Sequence, residues 1–251
     1  MPDGLPPRAL VTGGALRVGR TMVLALVDLG FAVAVHCRRA VDEAAALVAE
    51  IEAESGQAVV VRADLADAVA TAGLVDAAAA SLGGPLGVLV NNAAMFEPDR
   101  LASFAVERLR RQLAVNLEAP LLLSQAFVRA LPENTPGLIV NLGDQRTANP
   151  TAHYLGYSIG KAGLAMASAV IARDLAPRVR VNTIALGLAV AHQTMDEGHY
   201  QDLVRATPLA RATDDGEIAR ALALIVRSPS MTGTTITLDS GMAMGWLYPE
   251  R

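Results

Sequence analysis

The chain has 251 residues and a formal charge of −4; 52% of it is hydrophobic, 18% charged and 4% aromatic. This length suits one large domain or two small ones, and so much apolar surface excludes a chain that stays disordered. Cys37 is the only cysteine, which excludes a disulfide scaffold and suits a reducing compartment, the cytoplasm. The apolar content invites a membrane reading, and Met22 to Val35 is the most tempting stretch, but Asp28 and Gly30 cut it, whereas a spanning helix needs about 20 mostly apolar residues. Met1 to Pro7 has neither a positive charge nor an apolar run, so no secretory signal is expected. No segment is strongly basic, so neither nucleic acid nor membrane is an expected partner.

Strand-like and helix-like segments alternate along the chain. Arg8 to Val11 is a short apolar run stopped by Thr12-Gly13-Gly14, and Val18 to Leu29 reads as a helix with Gly30 as its stop signal. Ala32 to Cys37 is a strand, Asp42 to Glu54 a helix closing at Gly56, and Ala58 to Arg62 a β-branched strand. Ala66 to Leu82 reads as one alanine-rich helix, Val88 to Asn91 as a strand and Glu107 to Leu131 as one long helix. Leu138 to Leu142, Val179 to Leu186 and Thr234 to Leu238 are further strands. Tyr154 to Leu175 and Asp214 to Arg227 are helices, the second opened by a capping box of Asp214 and Glu217. Short strands alternating with long helices indicate parallel βαβ units, and continuously apolar strands indicate a sheet covered on both faces. With no linker or repeat, the expected architecture is a single α/β domain over 1–251, a doubly wound parallel sheet.

The turn Thr12-Gly13-Gly14-Ala15-Leu16-Arg17-Val18-Gly19 lies between the first strand and the first helix. Small residues there let the backbone approach a pyrophosphate, which meets the positive end of the helix dipole. In NAD-binding folds an acidic residue about 20 positions further on binds the ribose 2′-hydroxyl. Here the second strand ends in His36-Cys37-Arg38-Arg39, with no carboxylate before Asp42. Guanidinium groups suit a 2′-phosphate, which points to NADP(H). Tyr157 and Lys161 stand at i and i+4, on one helix face. A free phenol has a pKa of about 10, and a neighbouring ammonium favours its ionised form. Pro120 has no N–H, so the carbonyl of Asn116 loses its helical partner. His153, His192 and His199 show no metal-ligand spacing, so no metal is expected.

The glycine turn, the Tyr157/Lys161 pair and Asn91-Asn92-Ala93-Ala94 together resemble the short-chain dehydrogenase/reductase family over nearly the whole chain. The resemblance implies a Rossmann-type sheet, catalysis by Tyr157, Lys161 and Asn116, and an Asn116 carbonyl holding a water that feeds a proton chain to the lysine. Around the cofactor it places Thr12, Gly13, Val18 and Gly19 in the turn, and Arg39, Arg38 and His36 near the 2′-phosphate. Asp64 and Leu65 fall at the adenine, with Asn92 and Ala93 at the fourth strand. Gly187 and Leu188 fall near the nicotinamide, although Leu186 replaces the family's proline and no threonine follows until Thr194.

Two departures resemble the pteridine reductase branch: Arg17 stands at the middle glycine of the turn, and Asp144 stands thirteen residues before Tyr157, where most of the family has serine. In that branch the arginine faces cofactor phosphate and substrate, and an aromatic at the position of Phe96 sandwiches the pterin. Stacking suits a flat, polar heterocycle. A ketone needs a hydrogen-bond donor at its oxygen, whereas a pterin needs a proton on a ring nitrogen, which a carboxyl can relay. Arg17, Phe96, Asp144 and Tyr157 are therefore the expected substrate contacts. The expected activity is NADPH-dependent reduction of a pterin or dihydropterin by a homotetramer. Two alternatives stand: a reductase of small carbonyl compounds, with Asp144 a local substitution, and a non-catalytic dinucleotide-binding sensor, against which the retained Tyr157, Lys161 and Asn116 argue. Leu188 to Tyr200 reads as a substrate lid. The tail from Gly245 to Arg251, which holds the only tryptophan, reads as closing a pocket or as packing.

Overall fold

The structure is a computed structural model and describes residues 4–189 and 196–245. Seven strands form one parallel sheet: β1 (Arg8–Val11), β2 (Ala32–Cys37), β3 (Ala58–Arg62), β4 (Val88–Asn91), β5 (Gly137–Asp144), β6 (Val179–Leu186) and β7 (Thr235–Leu238). Their order is β3-β2-β1-β4-β5-β6-β7, and every pairing is parallel. This is the doubly wound α/β sheet expected. The chain builds outward from β1 to β3, then returns to lay β4 on the other side of β1, so a crevice opens beyond the carboxyl ends of β1 and β4.

Side-chain alternation along these strands splits the core in two. Ala9, Val11, Val33, Val35, Val88, Val90, Leu138 and Val140 point to a layer made by α1 (Arg17–Asp28), α2 (Val41–Ala53) and α9 (Asp215–Arg227). Leu10, Ala34, Leu89 and Ile139 point to the opposite layer, which holds α4 (Leu74–Ser81), α6 (Ala119–Ala130) and the end of α7 (Leu155–Asp174). Leu10, Leu89 and Ile139 have no exposed surface, and each such burial contributes about 1.5–3 kcal/mol. The strands read as unbroken apolar runs because both of their faces are covered.

Four elements differ from expectation. The alanine-rich stretch is two helices, α3 (Ala68–Ala72) and α4, because the Asp67 carboxylate caps α3 from Val69 and Ala70 N–H and Gly73 separates the pair. The long helix after β4 is α5 (Val106–Leu113), a π-helical turn (Ala114–Glu118) and α6; the turn ends just before Pro120, which has no N–H for an ordinary helical bond. β5 extends to Asp144. Helix α8 (Glu197–Ala206) lies inside and beyond the segment read as a lid, and Asp196 caps it through His199 N–H. The capping box of Asp214 and Glu217 forms on α9. Met22 to Val35 is divided between α1 and β2. One described helix, α7, is long and apolar enough to cross a membrane by length and composition alone; here it packs against β5 and β6 and carries the buried Lys161.

Candidate active site

A cleft of about 1840 Å³ runs along the carboxyl ends of the central strands, lined at one end by Gly13 and Arg39 and at the other by Phe96 and Tyr154. The glycine turn closes its floor. Gly13 has φ +61°, and a Cβ on Gly19 would lie 1.9 Å from the Gly13 carbonyl oxygen, so only glycine fits there. No side chain caps the N-terminus of α1 and no acidic residue sits in its first turn, which leaves N–H donors and a positive dipole end for an anion. Arg17, in the middle of the turn, has φ +53°. A non-glycine residue held in this region costs about 1–3 kcal/mol, so the arginine sits where the backbone favours glycine. Its guanidinium is partly withdrawn from water, which lowers its pKa, and Tyr200 of α8 lies across from it.

Two residues expected at the cofactor are engaged in bonds that hold the turn. Thr12 is 1% exposed and does not line the cleft; its hydroxyl bonds the Val90 carbonyl and accepts from the N–H groups of Asn92 and Ala93. It ties the turn to the segment after β4. Asn92 reinforces the tie by donating to the Thr12 and Gly13 carbonyls. His36 lines the cleft, but both ring nitrogens are committed: Nδ1 accepts from Gly13 N–H at 3.1 Å and Nε2 donates to the Ala63 carbonyl at 3.2 Å. Burial pushes its pKa down to about 4, against the opposing pull of the Ala63 carbonyl and Asp64. The ring is therefore neutral, offers no charge to a phosphate, and instead braces the turn.

Beside it, Arg38, Arg39 and Arg62 surround a hollow of about 430 Å³ with Asp64. The Asp64 carboxylate is already engaged, accepting from Ala66 N–H and from Arg111 at 2.7 Å. These bonds hold its pKa below the usual carboxylate range, the Ala66 N–H contributing most. Three guanidinium groups against one paired carboxylate suit a phosphate dianion. Leu65, Val18, Ala93, Gly187 and Leu188 also line the cleft.

The residues expected to be catalytic converge where β5 ends and α7 begins. The Tyr157 hydroxyl donates to Asp144 Oδ2 at 2.7 Å in a buried contact. Asp144 also accepts from Arg146 N–H at 2.8 Å and from its guanidinium at 3.3 Å. Lys161 is 3% exposed and donates to the Leu142 carbonyl at 2.5 Å. An ammonium has three donors, so others are available toward the cleft, as ribose hydroxyls require. Burial lowers its pKa to about 8, while Asp144 pulls it up. Asn116 sits in the π-helical turn, 1% exposed, and its amide clamps the Met95 backbone, accepting from N–H at 2.8 Å and donating to the carbonyl at 2.9 Å. The clamp fixes the residue that precedes Phe96. Gly160 lets this turn approach α7: a Cβ there would lie 2.9 Å from the Asn116 Cβ.

At the other end, Phe96 stacks on Tyr154 with centroids 4.2 Å apart and planes 9° apart, and meets the Tyr157 ring edge-on at 4.7 Å. The guanidinium carbon of Arg146 is 5.3 Å from both the Phe96 and Tyr154 centroids. Tyr154, the residue just before α7, adopts the left-handed conformation, φ +65°. It is held there by Asp99, whose carbonyl accepts from Tyr154 N–H and whose carboxylate accepts from Gly156 N–H and from Gln112. Sequence reasoning did not single out Arg62, Asp99, Arg111 or Arg146. Of these only Arg146, two residues beyond Asp144, had a local signal. Thr194, His192 and the tail beyond Gly245 lie outside the described residues. Among the described residues no three His, Cys, Asp or Glu side chains gather as metal ligands.

Comparison with known proteins gives this geometry a context. Residues 7–201 match the family described as short chain dehydrogenase. An uncharacterised oxidoreductase of Methylorubrum extorquens is 34% identical over 242 residues, covering 93% of this chain and 96% of its own. A 3-oxoacyl-acyl-carrier-protein reductase of Synechocystis is 29% identical over 240 residues, covering 94% and 96%. The crystal structure of FolM alternative dihydrofolate reductase 1 from Brucella canis, complexed with NADP, has a TM-score of 0.93 and 36% identity over 98% of both chains.

Proposed function

The chain belongs to the short-chain dehydrogenase family, and from that premise we propose that it is an NADPH-dependent reductase of a pterin or dihydropterin. The observation that carries the reading is the Asp144 carboxylate hydrogen-bonded to the Tyr157 hydroxyl, beneath the edge of Phe96. Reduction of a ketone develops negative charge on oxygen, and a carboxylate at that point opposes it. Reduction of a ring C=N bond instead delivers hydride to carbon and a proton to nitrogen. A tyrosine and a carboxyl sharing one hydrogen bond supply that proton and are recharged from solvent.

The uncapped start of α1 receives the pyrophosphate, Arg38, Arg39 and Arg62 the 2′-phosphate, and Lys161 the nicotinamide ribose. NADPH, when bound, supplies the hydride. Lys161 keeps positive charge below Tyr157, its ammonium lying 5.8 Å from the ring centroid. Asn116 holds Met95 and so sets Phe96, on whose face the pterin ring stacks while Arg17 faces it from the turn. The NADP complex of the FolM protein supports this cofactor, and that protein's name as an alternative dihydrofolate reductase supports this substrate. Self-association into a homotetramer is part of the proposal, supported by Met166 and Val170, 68% and 58% exposed on the outer side of α7. A cytoplasmic setting is supported by the buried free thiol of Cys37.

A second reading, reduction of a β-ketoacyl or other carbonyl substrate, is favoured by the relatives named as 3-oxoacyl reductases. NADPH oxidation measured with a dihydropterin, a β-ketoacyl thioester and simple ketones separates the two. The dihydropterin is the expected substrate, and turnover of the carbonyl compounds alone refutes the pterin reading. Asp144→Ser and Asp144→Asn are expected to lower dihydropterin turnover about 10²–10³-fold, as loss of a positioned proton donor does.

A further inference from the structure

Arg100 stands at the rim of the substrate end of the cleft, on the segment between β4 and α5. Its guanidinium lies 2.6 Å from His153 Nε2, on the segment between β5 and α7. Arginine is donor-only, so that nitrogen accepts and the histidine is neutral in this pair. No carboxylate among the described residues reaches salt-bridge distance of Arg100. The two nearest in sequence are committed elsewhere: Glu97 pairs with Arg108 at 3.5 Å, and Asp99 is buried under Gly156 and Gln112. Among the described residues the charge of Arg100 therefore has no acidic counterpart, and His153 holds it in place. It is also connected to the stacking platform, because the His153 ring lies 6.4 Å from that of Tyr154, which stacks on Phe96. The chain Phe96, Tyr154, His153, Arg100 leads from the ring site to the solvent rim.

We propose that Arg100, oriented by His153, is a carboxylate-binding subsite that selects a dihydropterin carrying an acidic tail, of the aminobenzoyl-glutamate kind, over one with a short neutral side chain. The inference rests on the pterin reading and names the substrate class within it. A guanidinium fork matches a carboxylate in two parallel hydrogen bonds, and a positive rim raises the local concentration of an anionic substrate.

The test compares NADPH-dependent reduction of dihydrofolate with that of a dihydropterin bearing a neutral side chain, in the unaltered enzyme, Arg100→Gln, Arg100→Lys and His153→Ala. Arg100→Gln is expected to raise the KM for dihydrofolate roughly tenfold, the size of one charge-assisted bond, with kcat and the neutral substrate unchanged. Arg100→Lys keeps the charge without the fork and falls between. The dihydrofolate kcat/KM falls with added salt, and Arg100→Gln removes most of that dependence. Equal effects on both pterins, or none on either, overturn the subsite while leaving the pterin reading in place. Failure to reduce either pterin, with a β-ketoacyl thioester turned over, overturns the pterin reading and the subsite with it.

Discussion

Acidifying the enzyme tests the role of His36 as a neutral brace. Its pKa is about 4 in the folded protein against 6.5 for the free side chain. Between those values the unfolded chain binds the proton more readily, so the stability this group contributes is complete above about pH 6.5 and is lost as pH falls toward 4. Each unit of difference is worth about 1.4 kcal/mol, so the window holds at most about 3.5 kcal/mol. The structural cause is the pair of bonds to Gly13 N–H and the Ala63 carbonyl, since protonating Nδ1 turns an acceptor toward an N–H donor. Other carboxylates titrate over the same range, so the informative quantity is the difference from His36→Asn, measured by urea denaturation at several pH values. The variant keeps an acceptor for Gly13 but abandons the Ala63 carbonyl, which costs about 1–3 kcal/mol at neutral pH. Its deficit is expected to shrink or reverse near about pH 4.5, because it has no imidazole to charge. Parallel stability curves for the two proteins would refute the argument.

Three further outcomes follow from the site. With Lys161 at about pKa 8 through burial, kcat/KM for NADPH is expected to fall above that pH as the ammonium is lost, and a flat profile to about pH 9.5 counts against the role given to it. Gly160→Ala places a methyl 2.9 Å from Asn116 Cβ, forcing α7 from the π-helical turn; a loss of about 1–3 kcal/mol with a larger proportional fall in kcat is expected, and a variant with unchanged melting temperature and turnover contradicts the close approach. Arg62→Ala should raise the KM for NADPH roughly tenfold while leaving that for NADH unchanged, as loss of one charge-assisted phosphate contact requires; equal effects on both cofactors remove Arg62 from the 2′-phosphate site.

What the sequence displays is what local physics determines. The bounds of β3 and β4 are readable because an apolar run leaves no polar residue until the strand ends. Tyr157 and Lys161 are readable because helical spacing alone puts them on one face. Features that depend on which strand lies beside which are not readable. Nothing near His36 says that its ring meets Gly13 and Ala63, because those partners arrive through the crossings from β1 and β3. The stack of Phe96 on Tyr154 joins segments on either side of β5, and its left-handed tyrosine is held by Asp99 from a distance. Helix α8 escaped notice because it is short and mostly polar, with only Asp196 to mark its start. Arg17 is the instructive middle case: its departure from glycine is plain in the sequence, but only the backbone angle of +53° shows that the position still demands what glycine would give.

The return of the chain from β3 to β4 has a consequence for how the protein responds to its cofactor. The turn after β1 and the segment after β4 are sewn together by Thr12 and Asn92, across about 80 residues of intervening chain. In the binding mode proposed above, a dinucleotide lying over that seam would grip the arginines of the first half and Lys161 of the second, and so would act as a clasp between two stretches that fold far apart in sequence. Ligand binding to the folded state alone adds about 2.7 kcal/mol at a concentration a hundred times the dissociation constant. The saturated enzyme should therefore melt as a single unit at a higher temperature, with protease sensitivity falling on both sides of the seam together.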